Sequence, residues 1–208
     1  MSEWYVVGVD TGHTGALREA DHLLRALAVE LGLKDDVLGC THHVRDGGRP
    51  HTALSFAVPS ERAARALRRR LTAPGSGRSG ADTLLGGGIL LGVALGGERH
   101  GPDELAAGAA HAAAEHTART GGRAVLYPGA VALTGVLTVA RLLELSAVER
   151  VAVLGAPEGA APERRLVTRD HVRPEWREGH LVLTAMPAAG GTLAPFEVPD
   201  PTPCCADH

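Results

Sequence analysis

The sequence predicts an α/β chain, and three stretches carry that reading. Tyr5 to Asp10, a valine-rich alternating run, hands over at Asp10 to a stretch whose leucines and alanines recur with helical spacing. Two further runs of β-forming residues flank Arg45-Asp46-Gly47-Gly48, a hairpin-loop composition. An alanine-rich segment from about Asp103 to Thr120 then reads as a long helix.

Taken in order, Trp4–Asp10 is the first expected strand. Leu17, Ala20, Leu23, Leu24, Leu27 and Leu31 share one face of a helix over Ala16–Leu31, which Gly32 ends. Strands follow over Val37–Val44 and from His51 to Val58. Ser60 with Glu61 caps a helix running to about Leu71. An apolar run, Ile89–Leu95, closes a βαββαβ order, the ferredoxin-like or split-βαβ arrangement. After the alanine-rich helix come a strand at Ala124–Leu126, a helix over Leu133–Leu145 and a strand at Val151–Leu154. Short strands at Arg165–Val172 and His180–Thr184 complete the pattern. The expected organisation is an α/β core over residues 1–155, a β-rich extension over 156–196 and a loose tail over 197–208.

Composition narrows the function classes. Hydrophobic residues make up 44% of the chain but aromatics only 3%, so Ala, Val and Leu must build the core. Lys34 is the sole lysine among 21 basic residues and sits in a polar turn, which disfavours a Schiff-base or P-loop lysine. A net charge of -3 supplies no general attraction to nucleic acid or anionic lipid. Cys40, Cys204 and Cys205 form no disulfide framework. No apolar run is long enough for a membrane span, and Met1-Ser2-Glu3-Trp4 lacks the look of a secretory signal, so a cytoplasmic location is expected.

The first candidate site is Asp10-Thr11-Gly12-His13-Thr14-Gly15. A strand ending in Asp and followed by small residues that open a helix presents backbone N–H groups and the positive end of the helix dipole to a phosphate. Asp10 supplies an oxygen ligand for Mg²⁺. The alternative is a plain turn, with Thr14 capping the helix and glycines allowing the bend. Histidines form a second set. His42 and His43 alternate across one strand, so Cys40 and His42 share one face and His43 the other. With His13 at the mouth of the first strand, His13, His42 and His43 are the alternative ligands for zinc or another transition metal. His111 and His116 lie five apart on the alanine-rich helix. Arg62, Arg65, Arg68, Arg69 and Arg70 form a basic helix end that could grip RNA phosphates, or simply suit a helix C-terminus. Dispersed surface histidines and incidental tail thiols are the plainer readings of the remaining residues.

Gly8-Val9-Asp10-Thr11, Thr14-Gly15 and the following helix, then Thr41-His42-His43 and Pro50-His51-Thr52, resemble the DDTD domain of the archaeal isoleucine-tRNA agmatinylcytidine synthetase and its small bacterial relatives. The segments "GGGILLGVALGG" and "LTGVLTVARLLEL" fall where those relatives carry apolar glycine-rich stretches. The resemblance implies a nucleotide-binding enzyme of the phosphoryl-transfer type, a transferase or ligase using ATP and Mg²⁺ on a small molecule or nucleoside. On that reading Asp10 holds the metal, Thr11, Gly12, Thr14, Gly15 and Thr52 surround the nucleotide, and His13 or His43 orients or deprotonates the acceptor. One aspartate stands where the family has an acidic quartet. That reduction keeps open a histidine-based metal enzyme working without ATP, and a non-catalytic, dimeric binding protein.

Overall fold

The computed structural model describes residues 4–12, 14–34, 36–45, 50–73, 90–156 and 158–198. It is an α/β protein that divides into two compact units, Met1–Pro128 with Glu175–His180, and Gly129–Pro174 with Leu181–His208. No helix among the described residues is long and apolar enough to cross a membrane.

The first unit is built on strands β1 (Tyr5–Asp10), β2 (Leu38–Val44), β3 (His51–Val58), β4 (Gly92–Leu95), β5 (Glu98–His100), β6 (Arg123–Leu126) and β10 (Glu175–Arg177). They lie in the order β5-β4-β1-β3-β2-β6-β10, with antiparallel pairing between neighbours. Helices α1 (Leu17–Glu30) and α2 (Glu61–Thr72) cover one face. Their leucines meet Val7, Val9, Leu54 and Phe56 in a single core, and Phe56 is its one aromatic among the fully buried residues. Burial of such apolar surface is the main stabilising term.

The opposite face carries α3 (Asp103–Ala118), which lies across β1, β3, β4 and β2. Its buried positions are Ala106, Gly108, Ala109, Ala112, Ala113 and His116, so small side chains let the helix approach the sheet closely. At Gly8 of β1 a Cβ would collide with the carbonyl of Ala109, and only glycine permits that approach.

Polar contacts tie the elements together. The Arg123 guanidinium of β6 forms a two-pronged pair with the buried Asp21 carboxylate of α1. Ser60 caps α2 by accepting from the Ala63 N–H at 3.2 Å. Three arginines of α2 make contacts within the fold. Arg65 pairs with Glu61, Arg68 with Glu98, and Arg70 donates to the carbonyls of Glu30 and Leu31 at the end of α1.

The second unit contains β7 (Val136–Thr138), α4 (Val139–Leu145), β8 (Arg150–Val153), β9 (Arg165–Val167), most of β11 (His180–Pro187) and β12 (Leu193–Pro195). Its mixed sheet runs β8-β11-β12-β9-β7, with β8–β11 and β9–β12 parallel. Leu133, Leu142, Leu166, Leu181, Leu183 and Leu193 are fully buried.

Several expected boundaries move. The helix expected from Leu133 begins only at Val139. Gly135 takes a positive φ of 64°, Val136–Thr138 pairs with β9, and Thr138 then caps α4 by accepting from the Arg141 N–H. The strand expected over Arg165–Val172 stops at Val167, because Arg169 and Asp170 turn the chain with φ of 54° and 52°. Strands β5, β10 and β12 were not expected. The start of the Ile89 run, the hairpin tip at 46–49, the segment 74–89 and the tail cysteines lie outside the described residues.

Candidate metal centre

Alternation along β2 and β3 sends Cys40, His42 and Val44, with Ala53 and Ser55, to the sheet face under α3. A register shift between Gly39 and Cys40 in the pairing with β6 lies directly before this set, and such bulges re-aim side chains. From above, the buried stripe of α3 delivers His116 about one turn after Ala112 and two turns after Ala109. The polar side chains meet in an otherwise apolar layer. Ser55 is 0%, His42 2% and His116 4% exposed.

Hydrogen bonds join them in one chain. His42 Nδ1 lies 2.9 Å from Glu115 Oε2, and His42 Nε2 lies 2.8 Å from Ser55 Oγ. Ser55 Oγ in turn is 2.7 Å from His116 Nδ1. Burial pulls the His42 pKa below its ordinary value despite the Glu115 carboxylate beside it. Burial likewise takes His116 down to about 3, so both rings are neutral near pH 7. The hydrogen bond from His42 holds the Glu115 carboxyl below its usual range.

Those charge states fix the roles. A carboxylate only accepts, so His42 Nδ1–H donates to Glu115 and His42 Nε2 keeps its lone pair. Ser55 O–H then donates to His42 Nε2, and Ser55 Oγ accepts from His116 Nδ1–H. Cys40 is Ser55's cross-strand partner, and burial raises its thiol pKa. One donor atom each from Cys40, His42 and His116 lies within 4.8 Å of the others, the only such group of three among the described residues.

Further contacts surround the cluster. Glu115 is 33% exposed at its side chain and also faces His111 Nε2 at 3.5 Å. Gly122 presses on the imidazole of His42, where a Cβ would overlap Cε1, and its φ of +106° is one that L side chains rarely adopt. Trp176 of β10 stands 6.1 Å from the His116 ring, centroid to centroid, with the Arg119 guanidinium 4.9 Å above the indole.

The loop that opens on Asp10 is arranged differently. Asp10 is buried, and its two oxygens accept from the Gly12 N–H at 2.8 Å and from His51 Nε2 at 2.9 Å. Thr14 Oγ1 donates to the Thr52 carbonyl, and the Thr52 N–H donates back to the Thr14 carbonyl. Thr11 lies 3.3 Å from Thr14, hydroxyl to hydroxyl. Thr11, Thr14 and Thr52 are therefore buried in a stitch between the loop and β3, while Gly15 is exposed. His43 is exposed on β2, and His13 lies outside the described residues.

Among the sequence candidates, the structure thus joins Asp10 to Gly12, links Thr11 and Thr52 through Thr14, and separates His43 from His42. Of the alternative metal ligands among the described residues, His42 enters the buried cluster and His43 does not. Ser55 and Glu115 carried no isolated sequence signal, whereas His116 did. It follows Ala109, Ala112 and Ala113 at spacings of an inward helical stripe. No protein-family model, curated protein or solved structure matches this chain.

Proposed function

We propose that this chain is a transition-metal protein whose ion lies between the sheet and α3, held by Cys40, His42 and His116. The observation that carries this reading is the convergence of one sulfur and two neutral imidazoles from β2 and α3 within 4.8 Å. Thiolate and imidazole together suit zinc and its neighbours in the first transition row, and not Mg²⁺. Glu115 supports it independently. Metal-bound histidines commonly donate their second N–H to a carboxylate, and His42 does so to Glu115 at 2.9 Å. Binding would release the thiol proton of Cys40, so that M²⁺, one thiolate and the Glu115 carboxylate sum to zero charge in a buried place. That balance avoids the large penalty of a lone buried charge.

The test uses the full-length chain with Cys204→Ser and Cys205→Ser, which leaves Cys40 as the only thiol. Reduced protein titrated with Co²⁺ should take up one equivalent and develop a sulfur-to-cobalt band in the near ultraviolet with visible ligand-field bands. Quenching of Trp176, close to His116, should follow the same curve. Cys40→Ala and His116→Ala should each abolish the sulfur band or the tight phase. Retention of the full spectrum in both variants would sink the proposal.

A nucleotide with Mg²⁺ at the Asp10 loop is the second reading, supported by the strand-end aspartate and the loop's position before α1. Both carboxylate oxygens already accept one hydrogen bond, so Mg²⁺ would take a remaining lone pair of Asp10 or displace His51. ATP–Mg²⁺ at about 100 times its dissociation constant should raise stability by about 2.7 kcal/mol if the site exists. An unchanged melting temperature, or a shift retained by Asp10→Ala, speaks against it.

A further inference from the structure

We infer that the Ser55 hydroxyl is the fourth donor of this centre, so that the ion sits in a closed Cys-His-His-Ser sphere clamping β2, β3 and α3 together. The inference rests on the metal reading of Cys40, His42 and His116, and extends it by a residue and by the kind of site it makes.

Ser55 occupies the middle of β3, on a sheet face whose neighbouring positions are Gly8, Ala53 and Ala94. A hydroxyl there has no access to water and must find partners inside the protein. It finds two, and both are proposed ligands, at 2.8 Å from the His42 nitrogen and 2.7 Å from the His116 nitrogen. The third ligand, Cys40, faces it across the β2–β3 ladder in register. The oxygen therefore touches both ring nitrogens that would bind the ion. In a tetrahedral zinc site, with metal–nitrogen bonds of about 2.0–2.1 Å and a metal–sulfur bond of about 2.3 Å, neighbouring donors are about 3.3–3.7 Å apart. Seating an ion among these four groups needs the oxygen–nitrogen pairs to open by under about 1 Å and the sulfur to close in.

Other groups are spoken for. The Asp10 carboxylate holds Gly12 and His51, and the Glu115 carboxylate holds the far nitrogen of His42. No further His, Cys, Asp or Glu joins the cluster among the described residues. A catalytic zinc site keeps one position open to water, whereas a structural site is closed by protein ligands. With Cys40 and Ser55 at 0% exposure, the fourth position belongs to the protein.

The proton inventory closes. Before loading, Ser55 O–H donates to His42 Nε2 and accepts from His116 Nδ1–H. On loading, Cys40 S–H forms the metal–sulfur bond and releases one proton to solvent. His116 shifts its proton from Nδ1 to Nε2, which frees the Nδ1 lone pair. Ser55 keeps its proton and gives an oxygen lone pair. No oxidant or reductant is involved.

The test again uses full-length protein with Cys204→Ser and Cys205→Ser, loaded with Co²⁺, and adds Ser55→Ala and Ser55→Cys. The parent should show four-coordinate ligand-field bands that added azide does not change. Ser55→Ala should bind Co²⁺ about tenfold or more weakly and become azide-responsive, because a position has opened. Ser55→Cys should roughly double the sulfur-to-cobalt band and bind more tightly. Far-ultraviolet circular dichroism checks that each variant folds, and Ser55→Cys keeps the test decisive if Ser55→Ala does not. Parent-like spectra and affinity in folded Ser55 variants would overturn the fourth-donor assignment and leave the metal reading standing. Failure of the parent to bind Co²⁺ would overturn both.

Discussion

At the scale of single residues, the contrast between His42 and His43 shows how much one step along a strand decides. His42 is buried against Ser55 and Glu115, while His43, its neighbour, is exposed. Their opposite faces follow from alternation alone, and so does the pairing of Cys40 with His42. His116 was also within reach of sequence reasoning, because 109, 112, 113 and 116 share the inner stripe of α3 and His111 lies off it. What the sequence could not supply was the pairing of that stripe with β2 and β3, a contact between residues more than 60 positions apart. Glu115 gives the sharpest test at this scale. Glu115→Ala should weaken Co²⁺ or Zn²⁺ binding about 10–100-fold, and Glu115→Gln, which still accepts from His42, should lose less. His111→Ala should leave affinity near the parent's. Equal losses in Glu115→Ala and His111→Ala, by competition with a chromophoric chelator, would contradict a positioning role for Glu115.

At the scale of elements, local chemistry set the order of the helices and the longer strands of the first unit, and tertiary pairing set the ends. The helix expected from Leu133 shows why. Its leucines and valines have helical spacing, yet Gly135 breaks the run and Val136–Thr138 finds a partner in β9. Propensity is a weak prior where a β-branched pair can complete a sheet. Strands β5, β10 and β12 were missed for a related reason. Each has three residues, too few for a periodic signal. The tie between α1 and β6 is the contact most open to measurement. Arg123→Met would leave the Asp21 carboxylate buried without its two-pronged partner, while Arg25 makes a longer contact to it at 3.6 Å. The expected loss is about 3–5 kcal/mol of unfolding free energy. The double change Arg123→Met with Asp21→Leu should recover much of it. Urea denaturation of both variants decides, and a loss under about 1 kcal/mol in the single variant would show the pair to be weak.

At the scale of the whole molecule, buried neutral histidines make stability depend on acidity. His116 titrates at about 3 when folded against an ordinary value of 6.5. Between those values the unfolded chain binds a proton there that the folded chain does not, so stability rises with pH across that window and falls as the solution is acidified. His42 acts in the same direction, and the lowered carboxyl of Glu115 adds to it below its ordinary 4.5. Each fully buried group contributes a slope of up to about 1.4 kcal/mol per pH unit. Metal-free protein should therefore lose urea resistance steadily from pH 6.5 to 4.5, and His116→Gln should flatten the profile. A midpoint constant over that range would show that the two histidines gain protons in the folded state as readily as in the unfolded one.

The depth of Cys40 has a kinetic corollary. A thiol with no exposed surface and a raised pKa cannot meet an alkylating reagent until the layer above it parts. With the tail cysteines replaced, the rate at which iodoacetamide modifies the folded chain becomes a stopwatch for the lifting of α3 from the sheet. Buried metal would slow that stopwatch, and the ratio of the two rates would read the grip of the ion in units of time.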